Sequence, residues 1–245
     1  MRCQDGGRII SVVNGLLGEM KQYLKLAEYR QNSACVIDLV PVLREGARLL
    51  DIGCANGNLS LRYAEKSGIS VKHIFGVEFD PDSAQRAQSR FKVSMVDMET
   101  ERLPFAPESF DLVVCNQILE HVKNVKHFMS EVDQVTKAYG YVLISVPNLA
   151  AFHNRFALLF GRQPRCIKVT SEHIRGFVPS GLKAFLTTGN HFRVVASGGS
   201  GFYPLPPLVS RLTAKIFPTM SVYYSVLLQK TRTDDWDSWN RLTKV

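Results

Sequence analysis

The chain has 245 residues, 45% apolar and 21% charged, a composition that excludes a disordered, collagen-like or disulfide-scaffolded protein and fits one α/β domain with insertions. No apolar run reaches the ~18–20 residues of a bilayer crossing, and the first residues lack a charged-then-apolar leader pattern, so a cytoplasmic location is expected. The net charge of +8 is unevenly spread: residues 1–150 hold 17 Lys and Arg against 18 Asp and Glu, residues 151–245 hold 13 against 4.

Residues 8–28 carry apolar positions at helical spacing (Ile9, Val12, Val13, Leu16, Leu17, Met20, Leu24), and a second helix is expected over 32–43. The period then changes. Residues 47–52 read as a short buried strand ending in a Gly-rich turn, and 58–67 as the helix after it. A second strand is expected over 73–78. Asp80 and Pro81 then supply an N-cap and a first helical residue for a helix reaching about Ser89. Further strands are expected at 91–96, 110–115 and 139–146, with a helix over 125–138 between the last two. Strands alternating with helices imply βαβ units and a mostly parallel sheet. Pro147 and Asn148 stop the fifth strand. Beyond it, 149–161 read as an apolar helix, 162–179 as a loop and 180–188 as a short helix. The stretch Tyr203–Leu208 reads as a loop, 192–196 and 221–229 as the last strands, and the polar tail 231–245 is expected to fray.

The five cysteines (Cys3, Cys35, Cys54, Cys115, Cys166) are odd in number and form no CxxC pair. That spacing argues for reduced thiols, and no metal site is expected. Between 151 and 200, seven basic residues (Arg155, Arg162, Arg165, Lys168, Arg175, Lys183, Arg193) face one acid, Glu172, and His153, His173 and His191 lie there too. One face of the protein is therefore expected to meet an anionic partner.

The most informative stretch is Asp51-Ile52-Gly53-Cys54-Ala55-Asn56-Gly57-Asn58. It closes the first strand, where open α/β sheets bind ligands. Gly53 permits a tight turn, and Gly57 permits close backbone approach. A dinucleotide fingerprint would need glycines at 53, 55 and 58, and Ala55 and Asn58 break it. The turn suits a ligand without a pyrophosphate. Glu78 ends the second strand, where an ionised carboxylate can accept both hydroxyls of a ribose. Turn and acid together point to a nucleoside.

These residues resemble the class I S-adenosylmethionine-dependent methyltransferases of the small-molecule type. The first motif of that family, an acid followed by alternating glycines, is matched by Asp51, Gly53, Ala55 and Gly57, with Ala55 replacing the middle glycine. The similar run Leu103-Pro104-Phe105, then Ser109–Cys115, leads into the fourth strand. The resemblance is strong over 30–150 and weaker beyond. It implies a Rossmann-like α/β fold with a seven-stranded, mostly parallel sheet and helices on both faces. It also implies S-adenosyl-L-methionine as cofactor, held by Asp51, Gly53, Cys54, Ala55, Asn56, Gly57, Glu78, Phe79, Asp97, Met98 and Asn116. Among these, Glu78 would take the ribose, Phe79 would lie beside the adenine, Asp97 would hold its amino group, Met98 would offer a backbone contact and Asn116 would line the methionine end.

Methyl transfer needs a base only when the acceptor must lose a proton. His121, after the fourth strand, and His173, in the basic segment, are the candidate bases. Cys115-Asn116-Gln117-Ile118 lacks the Pro-Pro motif common in base-methylating enzymes, which favours an oxygen acceptor. The expected acceptor is a small molecule, sugar or lipid-linked compound, anionic in character, with peripheral membrane contact as one use of the basic and apolar helix near 149–161. A nucleic-acid methyltransferase using the basic half, and a cofactor-binding scaffold without turnover, are the competing readings. One domain is expected: 1–29 as a helical extension, 30–150 as the cofactor core, 151–220 as the acceptor side with the last strands.

Overall fold

The computed structural model describes residue 23, residues 26–231 and residue 239. The first helix, α1 (residues 26–39), precedes β1 (Leu49–Ile52), whose four residues are all buried. Then follow α2 (Asn58–Ser67), β2 (Ile74–Glu78), α3 (Pro81–Gln88), β3 (Lys92–Met95), β4 (Phe110–Asn116), α4 (Val125–Val135), β5 (Thr136–Pro147), α5 (Phe152–Leu159), α6 (Pro179–Thr187), β6 (Phe192–Ser200), α7 (Pro207–Ile216) and β7 (Tyr223–Lys230). The sheet order is β3-β2-β1-β4-β5-β7-β6. β1 to β5 pair in parallel, and β7 runs antiparallel between β5 and β6. The seven-stranded, mostly parallel sheet expected from the sequence is present.

Both faces of the sheet are covered, so its central strands read as continuous apolar runs. Period-two alternation still divides them. On β4, Val113 and Cys115 join a core with Phe128, Met129 and Val132 of α4 and Leu182 and Leu186 of α6. Leu112 and Val114 face the other way, onto Val36 of α1, Tyr63 and Ala64 of α2, and Ala87 of α3. Each large apolar side chain buried this way contributes ~1.5–3 kcal/mol.

Local signals behave as expected at α3. The Asp80 carboxylate accepts the Ser83 N–H at 2.9 Å, and Pro81 stands at the first helical position. At α2, Gly57 (φ 79°) enters and Gly68 (φ 77°) leaves the helix in the left-handed region.

The fold corrects several sequence expectations. The helix expected over 32–43 covers 26–39 instead. Most of the helix expected over 8–28 lies outside the described residues. α4 stops at Val135, not near 138, because residues 136–138 open β5. A distant side chain drives this: the Lys230 ammonium, buried on β7, donates to the carbonyls of Asp133 (2.7 Å) and Thr136 (2.9 Å), satisfying helix-end acceptors. β6 extends to Ser200, and 207–216 form α7 where no helix was expected. In the tail expected to fray, Trp239 is fully buried and donates its indole N–H to Asp133 Oδ2 at 3.0 Å; the rest of 232–245 lies outside the described residues. His191 is no part of a basic face. It is buried, 2.5 Å from the same Asp133 carboxylate. Cys35, Cys54, Cys115 and Cys166 are free thiols, and Cys3 lies outside the described residues.

Candidate active site

Strand register sets the frame. Ile52, Val77, Ser94, Cys115 and Ile144 stand in one row near the carboxyl ends of the parallel strands. One residue further on come Glu78, Asn116 and Ser145. The Gly53–Gly57 turn leaves β1 at the same level.

Glu78 holds that turn. Its Oε2 accepts the Ala55 N–H at 2.7 Å, while its Oε1 accepts those of Phe79 (2.9 Å) and Asp80 (3.0 Å). An ionised carboxylate has about four acceptor sites, so one remains for a ligand hydroxyl. Ala55 adopts φ 47°, the left-handed region that a glycine would occupy freely. The turn therefore keeps its shape without the middle glycine, at a local cost of ~1–2 kcal/mol. Two glycines are sterically required. A Cβ on Gly53 would meet Ile118 Cδ1 at 2.1 Å, and one on Gly57 would meet the Phe91 ring at 2.7 Å.

Asp51 is buried and accepts the Ser60 hydroxyl at 2.6 Å, tying the end of β1 to the first turn of α2. Burial pushes its carboxyl up to about 7, the Ser60 bond opposing and the nearby Glu78 charge adding to the rise. The Cys54 side chain is buried close to Gly76 and its thiol is pushed up by burial, so only its backbone belongs to the turn. Asn56 Oδ1 accepts the Asn58 N–H at the start of α2. Phe79 is 70% exposed at the end of β2, leaving an aromatic face open. Asp97 caps its own turn through Glu99 N–H and the Thr100 hydroxyl, and the Met98 side chain packs on the core.

Asn116 is hydrogen-bonded on both sides. Its amide donates to the Tyr63 hydroxyl and accepts from Asn32 of α1, each at 3.1 Å. Asn32 Oδ1 in turn accepts the hydroxyls of Ser145 (3.1 Å) and Ser200 (3.3 Å), and Ser225 donates to Ser145. This buried network joins α1 and α2 to four strands. Nothing in the sequence pattern singled out Asn32 or Tyr63.

After β4 the chain turns sharply. Gln117 sits at φ 60°, held by its N–H to Ser145 O (2.8 Å) and its amide to Ser145 Oγ (3.2 Å). Strain of this kind concentrates at functional sites. Ile118 then covers Gly53, and Glu120 and His121 follow on the same turn.

There a cavity of about 460 Å³ opens between α1, the β4 turn, α5 and the start of β7. Gln117, Glu120, His121, His153, His173 and Tyr223 line it. The two candidate histidines, 52 positions apart in sequence, meet here with ring centroids 4.8 Å apart in an edge arrangement. Burial first, then His173, holds the His121 imidazole below its usual value, with Glu172 opposing, which favours its neutral form. Burial pushes Tyr223 up to about 12 and lowers His153 to about 4, Arg165 adding to the latter. Sequence reasoning missed Glu120. It is 1% exposed, neither carboxylate oxygen has a hydrogen-bond partner, and burial pushes it up to about 8. A cavity of about 500 Å³ between α1, β6 and α7 contains none of the turn or histidine residues.

Residues 50–144 match the family model of a methyltransferase domain. The chain is 28% identical over 133 residues to a ubiquinone biosynthesis O-methyltransferase of Rickettsia bellii, covering 54% of this chain and 50% of that protein. It is 23% identical over 190 residues to the Rickettsia canadensis protein of the same name, covering 74% and 75%. The fold is also that of a Thermotoga maritima protein described as a SAM-dependent methyltransferase, possibly of histamine N-methyltransferase type (TM-score 0.61, 19% identity, 88% of this chain and 96% of that one).

Residues 50–144 are a methyltransferase domain by that match, and the fold is shared with S-adenosylmethionine-dependent methyltransferases.

That family uses S-adenosyl-L-methionine, and the methyltransferase core present here fits it. A glycine-shaped turn, a strand-end carboxylate with one acceptor site left and an exposed aromatic beside it make a cradle for a nucleoside. The chain spans about half the length of the first curated relatives it matches.

Proposed function

We propose that the protein transfers a methyl group from S-adenosylmethionine to oxygen on a small amphiphilic or lipid-linked acceptor. The observation that carries this reading is the cavity past the end of β4 in which His121 and His173 meet, on the same turn whose Ile118 packs against Gly53. The cofactor supplies a methyl on a sulfonium sulfur, which departs as a neutral thioether. The chain's own work is to bind, align and exclude water, worth up to ~7–11 kcal/mol in orientation alone. Glu78 would receive a ribose hydroxyl, Phe79 would stack on the adenine, and Asp97 and the Met98 backbone would sit at its edge. Asp51, Cys54, Ala55, Asn56 and Gly57 would shape the turn. Asn116, bonded on both sides, would position α1 and α2 and would contact the cofactor only indirectly. A neutral His121, with His173 beside it, can take the proton of a hydroxyl acceptor.

The acceptor class follows from the cavity's surroundings. α5 and α7 expose Phe156, Leu159, Phe160, Leu208, Leu212 and Ile216, with Arg155, Arg162, Arg211 and Lys215 on the same helices and loops. Apolar faces edged by cations suit an anionic lipid surface or an amphiphile. Among the described residues no helix is long and apolar enough to cross a membrane. The relatives named for ubiquinone biosynthesis O-methylation are consistent with this reading. Residues 151–220 would then be the acceptor side of a single domain. The basic surface also keeps an RNA acceptor in play, and a labelled-methyl transfer assay against lipid, sugar and nucleic-acid fractions decides: label in the lipid or sugar fraction supports the proposal, label confined to RNA overturns it.

A further inference from the structure

We propose that Glu120, His121 and His173 form a binding site for a first-row divalent transition-metal cation in the floor of this cavity. One ligand atom from each, a carboxylate oxygen and two imidazole nitrogens, lie within 4.8 Å of one another. Small side-chain rotations bring such a set to the ~2.0–2.2 Å bonds of a metal centre.

A second observation points the same way. Glu120 is buried, lines the cavity, and has both carboxylate oxygens without a hydrogen-bond partner. Buried carboxylates are ordinarily paired, hydrogen-bonded or bound to metal. Among the described residues no cationic side chain forms an ion pair with it.

The imidazoles are oriented as metal ligands usually are. His173 Nδ1 lies 2.7 Å from the Cys166 carbonyl, which can only accept, so Nδ1 carries the proton and Nε2 keeps its lone pair. The Glu172 backbone lies beside the His121 ring and favours its charged form. The loop bearing His173 is fixed on the Glu120 segment by the Ile174 N–H, which donates to Glu120 O at 3.0 Å, and on the segment after β5 by the Leu149 N–H, which donates to Phe177 O at 2.8 Å. Two members of the grouping, His121 and His173, were candidates from the sequence; Glu120 was not.

Two imidazoles and one carboxylate favour Mn, Fe, Co or Zn over Mg or Ca. Three protein ligands leave coordination positions open toward the cavity. The role of the cation rests on the methyltransferase reading: it would bind the acceptor's hydroxyl oxygen and lower its pKa, the proton passing to solvent. The O–CH3 bond then forms as the S–CH3 bond breaks, sulfur keeping the electron pair. The histidines act in that case as ligands, and the acidity of the bound oxygen replaces a protein base.

The test uses Co2+ as a spectroscopic probe on chelator-stripped, dialysed protein. One equivalent per chain is expected, with visible d–d absorption displaced by Zn2+. Glu120→Gln and His173→Asn should each weaken binding at least tenfold, with unchanged circular dichroism. S-adenosylhomocysteine binding, measured by calorimetry without metal, should persist in both variants. No saturable Co2+ binding by the wild-type chain, or equal binding by both variants, overturns the site. Lost S-adenosylhomocysteine binding with Co2+ binding intact overturns the methyltransferase reading instead and leaves the site standing.

Discussion

The Glu78 carboxylate accepts the Ala55 backbone N–H at 2.7 Å, so the acid ending β2 holds the turn ending β1. One side chain thus both builds the cradle and offers its remaining acceptor site to a ribose. Glu78→Ala should weaken S-adenosylhomocysteine binding by ~2 kcal/mol or more, roughly thirtyfold, since charge-assisted bonds are removed. Calorimetric titration measures it. Unchanged affinity would move the ribose elsewhere.

The network around Asn32 predicts a stability effect far from any ligand. Asn116 bonds both Asn32 and Tyr63, and Asn32 bonds Ser145. Asn32→Ala strands several buried partners, each costing ~1–3 kcal/mol when unsatisfied. Tyr63→Phe removes one hydroxyl and should cost about 1 kcal/mol. Urea unfolding of both variants should rank them in that order.

Asp51 predicts a pH dependence with a definite sign. Its carboxyl rises from 3.8 to about 7 on folding. The folded state therefore holds a proton more tightly, and stability falls as pH climbs from about 4 to about 7. Above that window the buried charge stays a penalty. Asp51→Asn keeps an acceptor for Ser60 and removes the penalty. Its advantage in denaturant should reach a few kcal/mol at pH 8, from ~1.4 kcal/mol per pKa unit, and shrink toward nothing near pH 4. A pH-independent difference would refute the assignment.

Asp133 collects three buried partners from distant parts of the chain: His191, Lys230 and Trp239. Lys230→Met leaves Asp133 short of its cation and uncaps α4. The expected loss is ~3–5 kcal/mol, as for breaking a buried pair. Truncation before Trp239 should cost a similar amount, because a fully buried indole is removed.

Sequence patterns revealed the strands and the glycine turn because those depend on neighbours in the chain. Leu49–Ile52, Gly53 and Asp80 are read from period and local caps. The end of α4 was not legible, because Lys230 decides it from about 100 residues away. Glu120 was missed because a glutamate beside polar residues looks solvated, and only the loop carrying His173 buries it. α7 was missed because Pro204, Pro206 and Pro207 read as a loop, and because the helix buries the small Ser210 and Ala214 while its large apolar residues face outward.

That outward face carries the last prediction. Leu159 and Phe160 at the end of α5, and Leu208, Leu212 and Ile216 on α7, are all more than half exposed. Burying such side chains in an interface returns ~25 cal/mol per Å² of apolar area, and nearby arginines add attraction to anionic headgroups. Vesicles containing anionic lipid should therefore retain the protein at low salt, and neutral vesicles should retain less. Leu159→Glu with Phe160→Glu should abolish retention while leaving S-adenosylhomocysteine affinity intact, because neither residue touches the glycine turn or Glu78. Retention that survives both charges would assign the apolar face to contact with another protein surface.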